Sequence, residues 1–155
     1  MTFANDVLNA AWASFYQNHP IMLVTQNTVQ TFTTSTPTVV DWTNVQGDNY
    51  AAASLSSNNY TIPVAGWYRC SVILSFAGNA TGIRFVNATK NGVSQIFVSN
   101  RAPTSATSSC AMDGVFQCAV GDVIQIIADQ NSGGNLSTVV SSTYTSSWSM
   151  EWLRG

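Results

Sequence analysis

The residues best suited to chemistry in this chain are its single histidine and its three cysteines. His19 directly precedes Pro20, and Cys70, Cys110 and Cys118 lie far downstream. An imidazole can serve as the general base for a nucleophile, and thiolates together with an imidazole can hold zinc. The cysteines are odd in number, however, and their spacing matches no metal-binding or redox motif. These residue types therefore do not predict a metal site.

The sequence also lacks the short motifs that position a catalytic group. It has no Gly-x-Ser-x-Gly turn, no phosphate-binding glycine loop and no His-Glu-x-x-His pair. We interpret His19 as a residue near the C-terminal end of a helix, and Cys70 and Cys118 as small buried hydrophobes. For Cys110, in a serine-rich segment, both a free thiol and a disulfide remain open. We expect no enzymatic activity and no cofactor.

The clearest structural signal lies between Tyr60 and Phe76, where a short apolar stretch and a Pro-Val-Ala-Gly corner precede an alternating segment. The two-residue period of that segment predicts a half-buried β-strand. An Asn-Gly pair within 90–93 predicts a tight hairpin, and the Gly-Asp pair within 119–122 predicts a turn into an apolar run. One face of the alternating segment carries Tyr68, Cys70, Val72, Leu74 and Phe76.

About ten short strands are expected from Ile21 onward, separated by polar loops. Their number and spacing favour an all-β fold, a two-sheet antiparallel jelly-roll sandwich. The polar loops are expected at 44–59, 99–109 and 130–135. The predicted strands are 21–28, 38–43, 60–62, 67–77, 83–90, 93–98, 111–118, 123–129, 136–141 and 146–153.

Residues 5–17 form the one segment with clear helical periodicity. Asn5 or Asp6 can cap a short amphipathic helix, and Pro20 prevents its continuation. So short a helix is marginal alone in water, so its stripe must pack on its own domain, a sister subunit or another protein. We divide the chain into an attachment segment, residues 1–20, and a β domain, residues 21–155. The apolar stripe is Val7, Leu8, Ala11, Trp12 and Phe15.

Corner, hairpin and turn follow one another in an order that resembles the jelly-roll family of tumour necrosis factor and the globular heads of complement subcomponent q. The likeness covers roughly residues 21–155. Cys118 stands where the family usually has leucine, and Met150 where a small residue is common. The resemblance implies that Pro63, Gly66, Tyr68, Gly121 and Asp122 form the fold corner. The other matching residues are Ile62, Asn91, Gly92, Cys118, Ile124, Ile126 and Trp148.

Members of that family assemble as threefold homotrimers, so the resemblance implies a trimer here. Apolar residues occupy both faces of the run 123–127, although a sheet with one wet side should alternate cleanly. We therefore expect part of this surplus apolar surface at the trimer interface, with Trp67, Ile73, Val123 and Ile127 as candidates.

Some family members bind calcium at the top of the assembly. Carboxylate oxygens are suitable ligands for calcium, but the aspartates of this chain do not cluster in sequence. We predict no metal site. The aspartates that could in principle contribute are Asp41, Asp48, Asp113, Asp122 and Asp129.

Composition excludes two classes of partner. Only 8% of the 155 residues are charged and the formal net charge is −2, whereas nucleic-acid binders concentrate Lys and Arg on one face. No apolar run approaches the roughly 20 residues that span a bilayer, and the first residues lack the character of a secretion signal. We expect synthesis in a cytosol, no nucleic-acid partner and no membrane.

A compact jelly roll, a short amphipathic helix and an almost uncharged surface look like the standalone jelly-roll proteins of tailed bacteriophages. We therefore expect a virion surface protein, a homotrimeric capsid decoration or head-fibre protein that binds the major capsid protein or another virion protein. The alternative is a tail-fibre tip that recognises a host surface glycan or protein through the loops at 44–59 and 99–109. Its contacts would include Asn49, Tyr50 and Arg101.

Overall fold

The computed structural model describes residues 19–101, 105–143 and 145–155, and thirteen strands lie within these ranges. They are β1 (Ile21–Thr25), β2 (Thr31–Phe32), β3 (Thr38–Val39), β4 (Asn44–Asp48), β5 (Ala53–Ser54), β6 (Asn59–Thr61), β7 (Gly66–Phe76), β8 (Ile83–Lys90), β9 (Val93–Arg101), β10 (Ser108–Cys118), β11 (Val123–Gln130), β12 (Leu136–Ser137) and β13 (Ser147–Arg154).

The strands form two antiparallel sheets and a two-stranded ribbon. The five-stranded sheet has the order β10-β7-β13-β1-β4, and the six-stranded sheet has β5-β6-β11-β8-β9 with β3 added beside β11. The ribbon pairs β12 with β2. The described part of the chain contains no helix, which confirms the all-β prediction. The predicted helix and its stripe, Val7, Leu8, Ala11, Trp12 and Phe15, lie outside the described residues.

Two of the predicted loops contain parts of strands. The segment 44–59, expected to be a loop, contains β4 and β5. The segment 99–109, also expected to be a loop, includes the end of β9 and the start of β10. β4 has the sequence NVQGD and pairs on one side only, with β1. Such an edge strand is held by backbone pairing and needs no apolar alternation, so the hydrophobic pattern could not reveal it.

The core lies between the two sheets and is organised by β7. This strand pairs with β10 along eleven residues and with β13 on its other side. Its inward side chains are at most 1% exposed, as the alternation predicts. The ring of Trp148 packs 5.9 Å from that of Trp42 within the same core. The inward side chains of β7 are Tyr68, Cys70, Val72, Leu74 and Phe76, and those facing them from the six-stranded sheet include Val86, Ala88, Ile124 and Ile126.

The predicted corner and turn meet at one end of the sandwich. The amide of Ile62 donates to the carbonyl of Asp122 at 2.8 Å, and the amide of Gly121 donates back to the carbonyl of Ile62 at 2.9 Å. The hydroxyl of Tyr68 donates to the carbonyl of Val64 at 2.8 Å, which ties the start of β7 to the corner. The corner residues that the resemblance implied therefore lie together.

The Asn-Gly hairpin joins the same end through Asn91 and Asp122. The side-chain amide of Asn91 donates to Asp122 Oδ1 at 2.7 Å, and its oxygen accepts from the amide of Val123 at 2.9 Å. Asp122 Oδ2 accepts from the amide of Ala119 at 2.8 Å. These bonds, first that from Ala119 and then that from Asn91, hold the pKa of the Asp122 carboxyl below its ordinary value. Asp122 is thus the residue that holds two turns in place.

Gly66 is required where the chain leaves the corner. Its φ of +153° is rarely adopted by residues with a side chain. A Cβ at this position would also collide with the carbonyl oxygen of Arg154 and with the indole nitrogen of Trp152. That indole N–H donates to the carbonyl of Ala65 at 3.1 Å, so it has little freedom to move.

We predict that Gly66→Val prevents folding, because the new side chain meets backbone atoms on β13 and adds strain at φ. Overpacking alone costs about 1–3 kcal/mol, and a collision with backbone costs more. The measurement is soluble yield and melting temperature. Gly134→Ala is the matched control, since its backbone is unstrained and its Cβ would meet no atom within 4 Å. Normal folding of Gly66→Val would contradict the assigned corner.

Candidate self-association surface

The outward side of the five-stranded sheet, here the five-strand face, carries side chains aligned in three rows across β1, β13, β7 and β10. The strand register places one residue of each strand in every row. The rows are Ile21, Glu151, Arg69 and Val115; Leu23, Ser149, Ser71 and Asp113; and Thr25, Ser147, Ile73 and Ala111. Polar groups thus occupy the middle of the face, and apolar groups lie on both sides of them.

The apolar side chains of this face are large and exposed. Each has between 36% and 50% of its surface open to solvent, although the opposite side of the sheet already forms the core. Singly exposed apolar residues are common on soluble proteins, but a group of them on one face marks a binding surface. The group consists of Ile21, Leu23, Trp67, Ile73 and Val115.

Arg69 and Asp113 form a charged pair on the five-strand face, between β7 and the edge strand β10. Arg69 Nε donates to Asp113 Oδ1 at 2.8 Å and its NH2 group donates to Oδ2 at 3.2 Å, while the hydroxyl of Ser71 donates to Oδ1. The bonds from Arg69 and then Ser71 lower the pKa of Asp113, and Asp113 raises that of Arg69. Both side chains are half exposed, so the pair contributes little to the stability of one chain. Its two-pronged geometry can align a partner.

Two shallow depressions of about 340 Å³ each lie on this face, one beside β1 and one at the charged pair itself. One is bordered by Ile21, Leu23 and Gly47, and the other by Ile73, Ala111 and Asp113. Depressions beside protruding apolar side chains can receive side chains of a neighbouring copy.

The structure divides the four predicted interface residues into two pairs. Trp67 and Ile73 lie on the five-strand face, and the guanidinium of Arg154 lies 5.9 Å above the Trp67 ring. Val123 and Ile127 lie on the outward side of the six-stranded sheet, here the six-strand face. The four therefore do not form one patch, because alternation shows which residues share a strand face but not which sheet the strand joins.

Sequence reasoning missed Ile21, Leu23 and Val115 on the five-strand face. The sequence of β1, IMLVT, could have indicated Ile21 and Leu23, because it is apolar on both sides of the strand. The run 123–127 in β11 has the same property, and there it was used to predict an interface. Val115 alternates with inward residues on β10 but stands among small and polar neighbours, which concealed it.

Asn49, one of the residues predicted to contact a glycan, has other partners in this structure. The side chain of Asn49 donates to the carbonyl of His19 at 2.8 Å and accepts from the amide of Ile21 at 3.0 Å, so it anchors the start of β1. Tyr50 follows Asp48, whose Oδ1 accepts from the Tyr50 amide at 3.2 Å. The side chain of Arg101 lies outside the described residues.

The titratable residues considered at the outset are dispersed. His19 Nε2 lies 3.7 Å from Glu151 Oε1, and its ring meets that of Trp152 edge to face at 5.5 Å. Within the described ranges, no group of three or more His, Cys, Asp or Glu could hold a metal ion. The aspartates considered for calcium lie in separate places and bind nearby groups instead. Asp41 binds the side chain of Asn58, Asp48 the amide of Ala53, Asp113 the guanidinium of Arg69, Asp122 the side chain of Asn91, and Asp129 the amide of Gln130.

All three cysteines are free and buried. Burial raises the pKa of Cys70 to about 12 and those of Cys110 and Cys118 to about 11. Because the thiolate is the reactive form, these thiols are protected both sterically and chemically. They serve as packing residues.

Several solved structures have a similar fold. Murine APRIL at pH 5.0 has a TM-score of 0.66 at 16% identity, over 88% of this chain and 100% of that one. The globular domain of zebrafish complement 1qA has a TM-score of 0.61 at 16% identity, over 88% and 99%. Eiger TNF from S. frugiperda has a TM-score of 0.65 at 12% identity, over 87% and 92%. At such identities the likeness is one of fold, and it confirms the jelly roll.

No family model and no curated protein matches the sequence. Within the described ranges there is also no helix of the length and apolarity that crossing a membrane requires.

We predict that thiol reagents do not modify the three cysteines of the folded protein at pH 8, because their pKa values lie well above that pH and their sulfurs are buried. Titration with Ellman's reagent should give no fast reaction until guanidinium unfolds the chain, when three thiols react. Val120→Cys, at a position 66% exposed, is the matched positive control. Fast reaction of the unaltered protein would place a thiol at the surface.

Proposed function

We propose that this protein is a non-enzymatic structural protein of a tailed bacteriophage, carried on the virion surface as a homotrimeric capsid decoration or head-fibre protein. The trimer forms through the five-strand face. The observation that carries the proposal is the apolar character of that face, on a sheet whose other side already lines the core.

An antiparallel sheet that is wetted on one side normally presents polar residues there. The five-strand face instead presents the five large apolar side chains named above, and their burial contributes about 25 cal/mol for each Å² removed from water. In a closed ring of three copies, a neighbouring copy covers this face in a head-to-tail contact. The polar centre, with Arg69 beside both Asp113 and Glu151, then sets how the copies align.

The threefold arrangement is supported by the resemblance to the tumour necrosis factor and complement jelly rolls. Closed symmetry lets one surface satisfy three equivalent contacts, which also suits a local threefold position on a shell. A chain in which only 8% of the residues are charged supports a role that needs no electrostatic steering. Residues 1–20 provide the attachment to the major capsid protein or another virion protein.

We predict that Ile73→Asp converts the trimer into monomers, because it places a carboxylate where the proposed interface excludes water. Light scattering after gel filtration should fall from three times to one times the chain mass of 16.6 kDa. Val29→Asp is the matched control, since Val29 is 61% exposed and lies in the loop between β1 and β2. An unaltered protein of monomeric mass at micromolar concentration would contradict the trimer.

We predict that deletion of residues 1–18 leaves a soluble trimer that no longer attaches to its particle. The deletion spares His19, whose ring contacts Trp152 in the β domain. Immunogold labelling of purified particles should mark the capsid shell with the full chain and lose the label with the truncated one. Labelling confined to the tail would contradict the decoration role, and loss of solubility would assign the segment to the fold instead.

A further inference from the structure

A small pocket opens on the six-strand face, away from the proposed trimer interface. Its volume is about 270 Å³, which is just below the range of about 300–1,000 Å³ typical of sites for drug-sized ligands. A ligand of a single ring fits this size. The pocket is lined by Pro37, Phe85, Asn87, Phe97, Ile127 and Asp129, and we call it the aromatic pocket.

Two phenylalanines form the apolar part of the aromatic pocket. The rings of Phe85 and Phe97 lie 5.7 Å apart at an angle of 31°. Phe97 is 57% exposed, which is unusual for so large an apolar side chain on a monomer surface. The two rings therefore present apolar surface that an incoming ring can cover.

Polar groups stand beside each ring. The strand register places Asn87 opposite Phe97, and Asp129 opposite Phe85. Asn87 Oδ1 accepts from the hydroxyl of Ser94 at 2.8 Å, and Asp129 Oδ1 accepts from the amide of Gln130 at 2.7 Å. Among the described residues, no protein partner occupies the amide N–H₂ of Asn87 or the second oxygen of Asp129. The pocket thus offers one free donor group and one free acceptor.

We propose that the aromatic pocket binds one neutral pyranose residue of a glycan. A pyranose has an apolar face of C–H groups, which stacks on Phe85 and Phe97, and hydroxyls at its rim, which donate to Asp129 and accept from Asn87. An apolar side chain from a protein partner would leave both polar groups unpaired, which is costly when they are buried. Neither lysine nor arginine lines the pocket, and Asp129 disfavours an anionic sugar.

This site differs from the loop residues Asn49, Tyr50 and Arg101 that the sequence had indicated for a glycan. It lies on the sheet opposite the five-strand face, so the trimer leaves it open. Experiments can therefore test glycan binding and trimer formation separately, and one proposal can be wrong while the other holds.

The test is saturation-transfer-difference NMR of the full chain with the methyl glycosides of glucose, galactose, mannose, N-acetylglucosamine and N-acetylgalactosamine, and with N-acetylneuraminic acid as the anionic comparison. At least one should receive saturation, strongest on the protons of one ring face. Phe97→Ala should weaken that binding by about tenfold, the scale of one lost aromatic contact. Asp129→Asn keeps the acceptor for Gln130 and replaces the free oxygen by a donor, so it should weaken binding as well.

Val93→Ala is the matched control, because Val93 is exposed on the same hairpin but does not line the pocket. It should bind as the unaltered protein does. Melting temperature and light scattering confirm that each variant keeps its fold and mass. Absence of binding to every one of these glycosides, binding only to N-acetylneuraminic acid, or equal weakening by Val93→Ala would overturn the proposal.

Discussion

The register of β7 is the constraint on which the rest of the structure depends. Because successive side chains of a strand point to opposite sides, the pairing that places Tyr68 and Leu74 in the core also places Arg69 and Ile73 on the five-strand face. A slip by one residue would exchange the two sets and bury Arg69. The core and the candidate interface are therefore two consequences of one pairing, and neither can change alone.

That register is held at one end by the joined turns. The corner at 62–66, the hairpin at Asn91 and the turn at Asp122 lie far apart in the chain, yet each hydrogen-bonds to another. Gly66 then lets β7 begin directly against β13, where any side chain would meet the backbone of Arg154. Short turn motifs in this fold therefore position two long strands relative to each other.

The sequence predicted those elements that are determined by residues close together in the chain. Alternation in β7, the Asn-Gly hairpin and the Gly-Asp turn all occur as expected, since each depends on neighbouring residues. β4 and β2 could not be predicted, because long-range backbone pairing defines them, whereas β12 lies within the predicted strand 136–141. The aromatic pocket depends on a bulge between Ala88 and Thr89 that shifts the hairpin by one residue. Without that shift Ile96, not Phe97, would lie opposite Asn87, and no sequence pattern marked the bulge.

The same bulge links the two sheets. It turns Ile96 toward the core, where its side chain packs against Gly114 on β10, and a Cβ at Gly114 would lie 2.5 Å from Ile96 Cδ1. A glycine in β10 thus makes room for the side chain whose inward turn exposes Phe97 on the six-strand face. On the other side of β10, Asp113 binds Arg69 within the five-strand face. β10 therefore supports both surfaces: its outward side carries Asp113 of the charged pair, and its inward side contacts Ile96, whose inward turn accompanies the exposure of Phe97.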